Sequence, residues 1–287
     1  RCGAEVWIKH ENHSPVGAFK LRGAMVYMDW LAREQPNLTG VVAATRGNHG
    51  QGVALAAKRR GWTATIAVPH GNSREKNRAM RALGAELVEH GDDFQAANEY
   101  AAELAGERGV HKVASFARQL VVGTGTYALE MFQAAPELDT IFVPVGLGSS
   151  ICGVTAVRNA LGLKTRIVGV VAEASPSYAL SFAAGKVIPH EAATKIADGL
   201  ACRLPVAEAL EVILKNVDGF VEVSEDEIGS AMRAVYEDTH NIAEGAAAAS
   251  IAAVLKEREK IAGKRVGAVL TGGNVDREVF LKALDSA

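Results

Sequence analysis

With 287 residues, 48% apolar and 22% charged, the chain has the make-up of a folded protein with room for one large domain or two smaller ones. Its net charge of −2, spread over interspersed acids and bases, gives no support to nucleic acid or an anionic membrane as a partner. Cys2, Cys152 and Cys202 have neither CxxC nor metal-ligand spacing, and no secretory signal or membrane-length apolar run is present, so a cytoplasmic, reducing setting without disulfides or a bound metal is expected.

The first informative stretch is Ser14-Pro15-Val16-Gly17-Ala18-Phe19-Lys20-Leu21-Arg22-Gly23-Ala24. It sets one lysine after a Pro/Gly turn and an aromatic residue, where a helix begins and continues as apolar Ala24–Met28. A desolvated lysine loses preference for its ammonium form and becomes an amine nucleophile able to form Schiff bases. The same residues also describe a helix-start lysine whose stem packs while its head stays in water.

Beyond it, short β-branched runs at 41–45, 64–68, 86–89, 141–145, 167–171, 220–223 and 266–270 alternate with amphipathic, alanine-rich segments at 52–60, 73–83, 94–108, 125–134 and 225–238. Such alternation predicts an α/β fold, with parallel sheets covered by helices on both faces. Clustering of the strands at 41–89 and 141–270 predicts two sheets. The basic run 73–81 reads as the solvated face of a helix, and Gly123-Thr124-Gly125 as a helix start.

Three of the predicted strands end in glycine-rich junctions. Thr45-Arg46-Gly47-Asn48-His49-Gly50-Gln51-Gly52 offers side-chain and backbone donors at a helix start, suited to a carboxylate or a phenolic oxygen. Pro144-Val145-Gly146-Leu147-Gly148-Ser149-Ser150 is a nest for an anion, with the helix dipole favouring phosphate. No lysine follows in P-loop spacing, which disfavours a nucleoside triphosphatase. Thr271-Gly272-Gly273-Asn274 supplies a hydroxyl after the last strand. A local cap or a tight turn is the competing reading of each junction; the density of polar groups favours a ligand site at the first, the successive N–H groups favour one at the second, and the third is balanced between a terminal turn and a site.

In this order the elements resemble the fold-type II pyridoxal-phosphate enzymes, nearest to the threonine/serine dehydratases (ammonia-lyases) and their serine-racemase relatives. The resemblance implies two open, doubly wound domains with parallel sheets, of the tryptophan synthase β type, and an active site in the cleft between them. Residues 1–36 and 120–287 are expected to form the larger, cofactor-binding domain and 37–119 the smaller, substrate-loop domain. It also implies roles. Lys20 holds pyridoxal 5'-phosphate as a Schiff base and takes the Cα proton; Phe19 packs near the ring, and Asn48 bonds its phenolic oxygen. Gly146, Leu147, Gly148, Ser149 and Ser150 bind the phosphate, and Thr271 faces the pyridine nitrogen. Gly199 lies against the ring and Glu244 stands behind it. Thr45, Arg46, Gly47, Asn48 and His49 meet the substrate.

A neutral hydroxyl at the pyridine nitrogen makes the ring a weaker electron sink, favouring β-elimination of a β-hydroxy amino acid to a 2-oxo acid and ammonia. The partner is then a small amino acid, threonine or serine or else 3-hydroxyaspartate or phenylserine, and a homodimer is left open. The family commonly has two serines where this chain has Thr45-Arg46, which argues against efficient racemisation. Arg46 either pairs with a side-chain carboxylate of the substrate or points to solvent. The sequence ends at Ala287, so a C-terminal regulatory domain is not expected. Two alternatives stand beside this reading: a β-replacement synthase, and a non-catalytic binding protein of the same fold, which has no need of Lys20.

Overall fold

The structure is a computed structural model and describes residues 1–285. The elements run β1 (Glu5–His10), α1 (Lys20–Glu34), β2 (Gly40–Ala44), α2 (Asn48–Arg59), β3 (Thr63–Val68), α3 (Arg74–Ala82), β4 (Glu86–Glu89), α4 (Phe94–Arg108), β5 (His111–Lys112) and α5 (Arg118–Ala134). They continue with β6 (Thr140–Pro144), α6 (Ser149–Ala160), β7 (Arg166–Ala172), α7 (Ser177–Ala184), α8 (Ala207–Asn216), β8 (Gly219–Val223), α9 (Glu225–Thr239), α10 (Gly245–Lys256), α11 (Arg258–Ile261), β9 (Arg265–Leu270) and α12 (Arg277–Asp285).

Two compact units emerge: residues 1–13 with 124 onward, and Ser14–Gly123. The smaller has a four-stranded sheet in the order β4-β3-β2-β5 and the larger a five-stranded sheet in the order β1-β9-β6-β7-β8. Every strand pair is parallel. The central strands β2 and β6 are buried along their whole length, as strands covered by helices on both faces must be. The seven expected strands are all present, so the α/β reading with two parallel sheets holds. Edge strands β1 and β5 were not anticipated: β1 is half exposed and carries Glu5 and Lys9, and β5 has two residues.

The expected domain boundaries put 14–36 and 120–123 in the larger unit, whereas the structure groups both with the smaller. The cause is α1, which buries Ala24, Tyr27, Met28 and Leu31 in one apolar cluster with Val41, Ala43, Val53 and Ile66. Two local expectations also change. Gly123 and Gly125 lie inside α5 rather than at its start. A Cβ at Gly123 would strike the Arg22 carbonyl, and Gly153 of α6 comes against the Gly125 backbone, so both glycines serve close helix packing. On α3, Arg74, Arg78 and Arg81 are exposed, but Lys76, Asn77 and Met80 are buried.

In each sheet the strand order reverses once. In the smaller sheet β2 has β3 on one side and β5 on the other; in the larger, β6 has β7 on one side and β9 on the other. The carboxyl ends of strands at such a switch point are where open α/β sheets leave room for a ligand, because the connections leave in opposite directions. Residues 45–49 follow β2, 145–148 follow β6 and Thr271 follows β9.

Candidate active site

In the smaller unit the site is built on the contact of α1 with α2. The turn before α1 is closed by Ser14, whose Oγ accepts from Ala18 N–H (2.9 Å) and donates to Ala18 O (2.8 Å). Gly17, at φ +66°, takes the left-handed conformation this turn needs. Lys20 is then the first residue of α1, with Nζ 4.7 Å from the centroid of the buried Phe19 ring. A Cβ at Gly52 of α2 would lie 3.1 Å from the Lys20 carbonyl and 3.3 Å from Ala24 Cβ. Glycine at 52 therefore lets α2 approach the Lys20 backbone.

The loop between β2 and α2 is shaped by Thr45. Its buried Oγ1 accepts from Gly47 N–H (2.9 Å) and Gly50 N–H (3.3 Å), so part of what was expected to receive a substrate carboxylate shapes the loop. Asn48 and His49 are half-buried in the first turn of α2, and Arg46 is exposed. The Lys76 stem lies over Gly47, where a Cβ would be 3.1 Å from Lys76 Cγ. Two polar side-chain atoms in that first turn are sealed from solvent without a hydrogen-bond partner: His49 Nε2 and Gln51 Nε2. Burial first, and the Lys20 charge second, push His49 down to about 3, so its imidazole is neutral at neutral pH.

In the larger unit the candidates form one connected group. A Cβ at Gly146 would strike the Gly199 carbonyl, and one at Gly199 would lie 2.9 Å from Ala246 Cβ. Ala246 follows the buried Glu244, which precedes α10 and whose N–H donates to Gly272 O (3.1 Å), beside the buried Thr271. Gly148 has φ +96°, and a Cβ there would be 2.7 Å from Ala209 Cβ. Neighbours fix this loop from outside. Tyr178 Oη donates to Leu147 O (3.0 Å), Thr124 Oγ1 donates to Ser149 O (2.9 Å), and Tyr127 Oη and Ser150 Oγ are 2.6 Å apart. Cys152 on α6 is pushed up to about 12 by burial, so it is a packed thiol rather than a nucleophile.

The helix starts differ in how they are capped. α3, α4 and α9 are capped by their own Ser73, Asp93 and Ser224 side chains, with a full capping box at α9. The helices α1, α2, α6, α7 and α10 have no side-chain cap and no acid in the first turn. Their dipoles and first N–H groups are thus not answered by a carboxylate of the same turn. Sequence reading missed this contrast. It also missed Lys76, whose i, i+1, i+4 spacing with Asn77 and Met80 marks one buried face, and the two tyrosines that hold the second loop.

These residues fit pyridoxal phosphate chemically. The glycine loop at α6, which side chains would fill, suits a phosphate. An amine on Lys20 suits an aldehyde, Asn48 a phenolic oxygen and the Thr271 hydroxyl a ring nitrogen. Sequence and structure comparisons point to the same cofactor. Residues 1–272 match the family described as "Pyridoxal-phosphate dependent enzyme". The L-threonine ammonia-lyase of Thermotoga maritima is 37% identical over 275 residues, covering 96% of this chain and 68% of that protein. The processed threonine deaminase isoform 2 of Solanum lycopersicum has a TM-score of 0.93 at 33% identity, covering 100% of this chain and 85% of that one. Maize serine racemase has a TM-score of 0.90 at 29% identity, covering 99% of this chain and 87% of that one. On the strength of a match that spans nearly the whole chain, the protein belongs to the pyridoxal-phosphate dependent enzyme family.

Proposed function

We propose that this protein is an ammonia-lyase of the threonine/serine dehydratase type, which removes the β-hydroxyl of an amino acid to give a 2-oxo acid and ammonia. The observation that carries this reading is Lys20 at the start of α1, with its carbonyl closely approached by Gly52 of α2, together with the similarity to threonine ammonia-lyase. When bound through its aldehyde, pyridoxal phosphate draws electron density from Cα and acidifies the Cα–H bond. Lys20 Nζ would hold that aldehyde and, as a free amine, would take the Cα proton.

Asn48 orients the cofactor through its phenolic oxygen. Backbone N–H groups of Gly146–Ser150, with the α6 dipole, hold the phosphate, and Thr271 offers the pyridine nitrogen a neutral partner. The first turn of α2 receives the α-carboxylate through N–H groups, with no acid of that turn to repel it. The buried Lys76 stem over Gly47 adds a cation to the same loop.

Arg46 supports a second, finer reading. It is exposed, and no described hydrogen bond or ion pair engages its guanidinium. A substrate with a second carboxylate, such as 3-hydroxyaspartate, would give it a partner. One experiment tests both: 2-oxo acid release from L-threonine, L-serine, 3-hydroxyaspartate and 3-phenylserine by the wild type, Lys20→Ala and Arg46→Ser. Lys20→Ala is expected to lose the visible band of lysine-bound cofactor together with all turnover. A wild type that stays colourless with added pyridoxal phosphate would refute the cofactor roles, and oxo acid from none of the four substrates would turn the assignment to a β-replacement synthase. Unchanged preference for 3-hydroxyaspartate in Arg46→Ser would end the carboxylate-pairing idea.

A further inference from the structure

A phosphate in the β6 loop is received by backbone N–H groups, so the loop serves it only if its peptides face the right way. Among the described residues, no protein acceptor takes the N–H of Gly146, Leu147 or Gly148. The Leu147 carbonyl is engaged instead, by Tyr178 Oη at 3.0 Å. A trans peptide is planar, and its C=O and N–H point in opposite directions. With Leu147 O aimed at Tyr178, the Gly148 N–H is therefore aimed away from the tyrosine.

The local sequence leaves this orientation free. A flip of the Leu147–Gly148 peptide turns only ψ of Leu147 and φ of Gly148, and glycine accepts either sign of φ. Gly148 sits at φ +96°, with Tyr178 Oη 3.2 Å from where a Cβ would lie. Tyr178 is itself held in place. It is fully buried on α7, and its Oη accepts from the N–H of Val206, the residue before α8, at 3.1 Å. That N–H occupies a lone pair, and the phenol proton is left for Leu147 O. Burial pushes the phenol well above its ordinary range, so it keeps the proton.

We propose that Tyr178 is a positioning residue for the cofactor phosphate: its hydroxyl locks the Leu147–Gly148 peptide with the carbonyl turned to α7, so that the Gly148 N–H faces the phosphate. The inference rests on the β6 loop being the phosphate site of the reading above. Without the hydroxyl the peptide is free to turn, and a carbonyl oxygen repels a phosphate where an N–H attracts it. Phosphate is thus selected in part by a side chain of α7 that does not touch it.

The test separates the phosphate from the aldehyde. Capture of pyridoxal 5'-phosphate, and of pyridoxal without the phosphate, by the cofactor-free full chain is titrated through the visible band in wild type and Tyr178→Phe. Tyr178→Phe is expected to weaken pyridoxal phosphate about tenfold, the loss of one hydrogen bond to a charged group, and to leave pyridoxal within about twofold. An unchanged preference for the phosphorylated form, or an equal fall for both aldehydes, overturns the proposal, because a tyrosine that only packs would affect the two alike. Should Tyr178→Phe not fold, the wild type decides. Isotope labelling of leucine carbonyls and glycine nitrogens isolates by NMR the amides of Gly84, Gly148 and Gly162, the glycines that follow a leucine. The Gly148 amide is expected to shift with pyridoxal phosphate and to stay in place with pyridoxal; a Gly148 amide indifferent to the phosphate overturns the proposal. A wild type that captures neither aldehyde would refute the lysine assignment. Inorganic phosphate would then decide for Tyr178 through the same amide, a shift supporting the lock and no shift overturning it.

Discussion

The loops after β2 and after β6 both leave a buried parallel strand at a switch point and pass through glycines into a helix that lacks a side-chain cap. Thr45 is engaged within the β2 loop, but the side chains beyond it differ from those of the β6 loop. Around the β6 loop, Tyr178, Thr124 and Tyr127 already engage Leu147, Ser149 and Ser150. The first turn of α2 leaves His49 Nε2 and Gln51 Nε2 buried without partners, beside a buried lysine stem. A loop that keeps one ligand through every turnover gains from being rigid in advance. A loop that must bind and release a substrate retains groups whose partners come and go, at a cost to stability. The finished loop matches the proposed phosphate site, and the unfinished one the proposed substrate site.

The largest expected effect separates the two loops by ligand. Gly148→Ala places a Cβ at φ +96° and 2.7 Å from Ala209 Cβ. Strain and overlap together should cost ~3 kcal/mol, about a hundredfold in cofactor affinity, read by titrating the visible band. Lys76→Met keeps the stem over Gly47 but removes the charge. It should leave cofactor affinity within about twofold and raise KM for the amino acid by about tenfold, the equivalent of one charge-assisted hydrogen bond. If each variant weakened both ligands alike, the division of labour would fail.

Much of this contrast was legible in the sequence and part of it was not. Strand ends, glycine clusters and the Lys20 context are local patterns, and they located all three junctions. Which strands lie beside which is non-local. That β6 neighbours β9, and so brings Thr271 to the same switch point as Gly146, is a property of the sheet order. The burial of Lys76 was hidden because a basic residue on a basic helix reads as solvated, although its face is set by packing against Gly47. The allegiance of α1 was misread for the same reason: its apolar positions say that it is buried and not against which sheet.

The next effect is a pH dependence confined to the β2 loop, since Gly146–Ser150 contains no ionisable side chain. Folded His49 stays neutral down to about 3, whereas in the unfolded chain it takes a proton below its ordinary value of 6.5. The unfolded state therefore binds more protons as pH falls. Stability is full above pH 6.5 and declines below it by about 1.4 kcal/mol per pH unit for this group. Glu86 adds a separate acid dependence, because Arg108 and Thr65 hold its carboxylate down to about 2. The measurement is thus a difference: denaturant midpoints of wild type and His49→Leu between pH 7 and 4. The variant should lose less stability on acidification, and parallel curves would show that His49 is accessible to protons in the folded state.

The smallest pair of effects carries opposite signs and so cuts most cleanly between the loops. Tyr127→Phe removes a 2.6 Å contact with Ser150 in the finished loop and leaves a buried hydroxyl without its partner. It should destabilise the cofactor-free protein by about 1 kcal/mol, lowering Tm by about 2–4 °C. Gln51→Leu removes a buried amide that has no partner to lose, replacing it with an apolar group of similar reach. The cofactor-free protein should become more stable, because the desolvation cost of an unsatisfied donor disappears. KM for the amino acid should nonetheless rise, since a group kept unsatisfied for the substrate has gone. A Gln51→Leu protein that is less stable and binds substrate as before would mean that the amide is satisfied in solution, and the unfinished character of the β2 loop would then reduce to His49 alone.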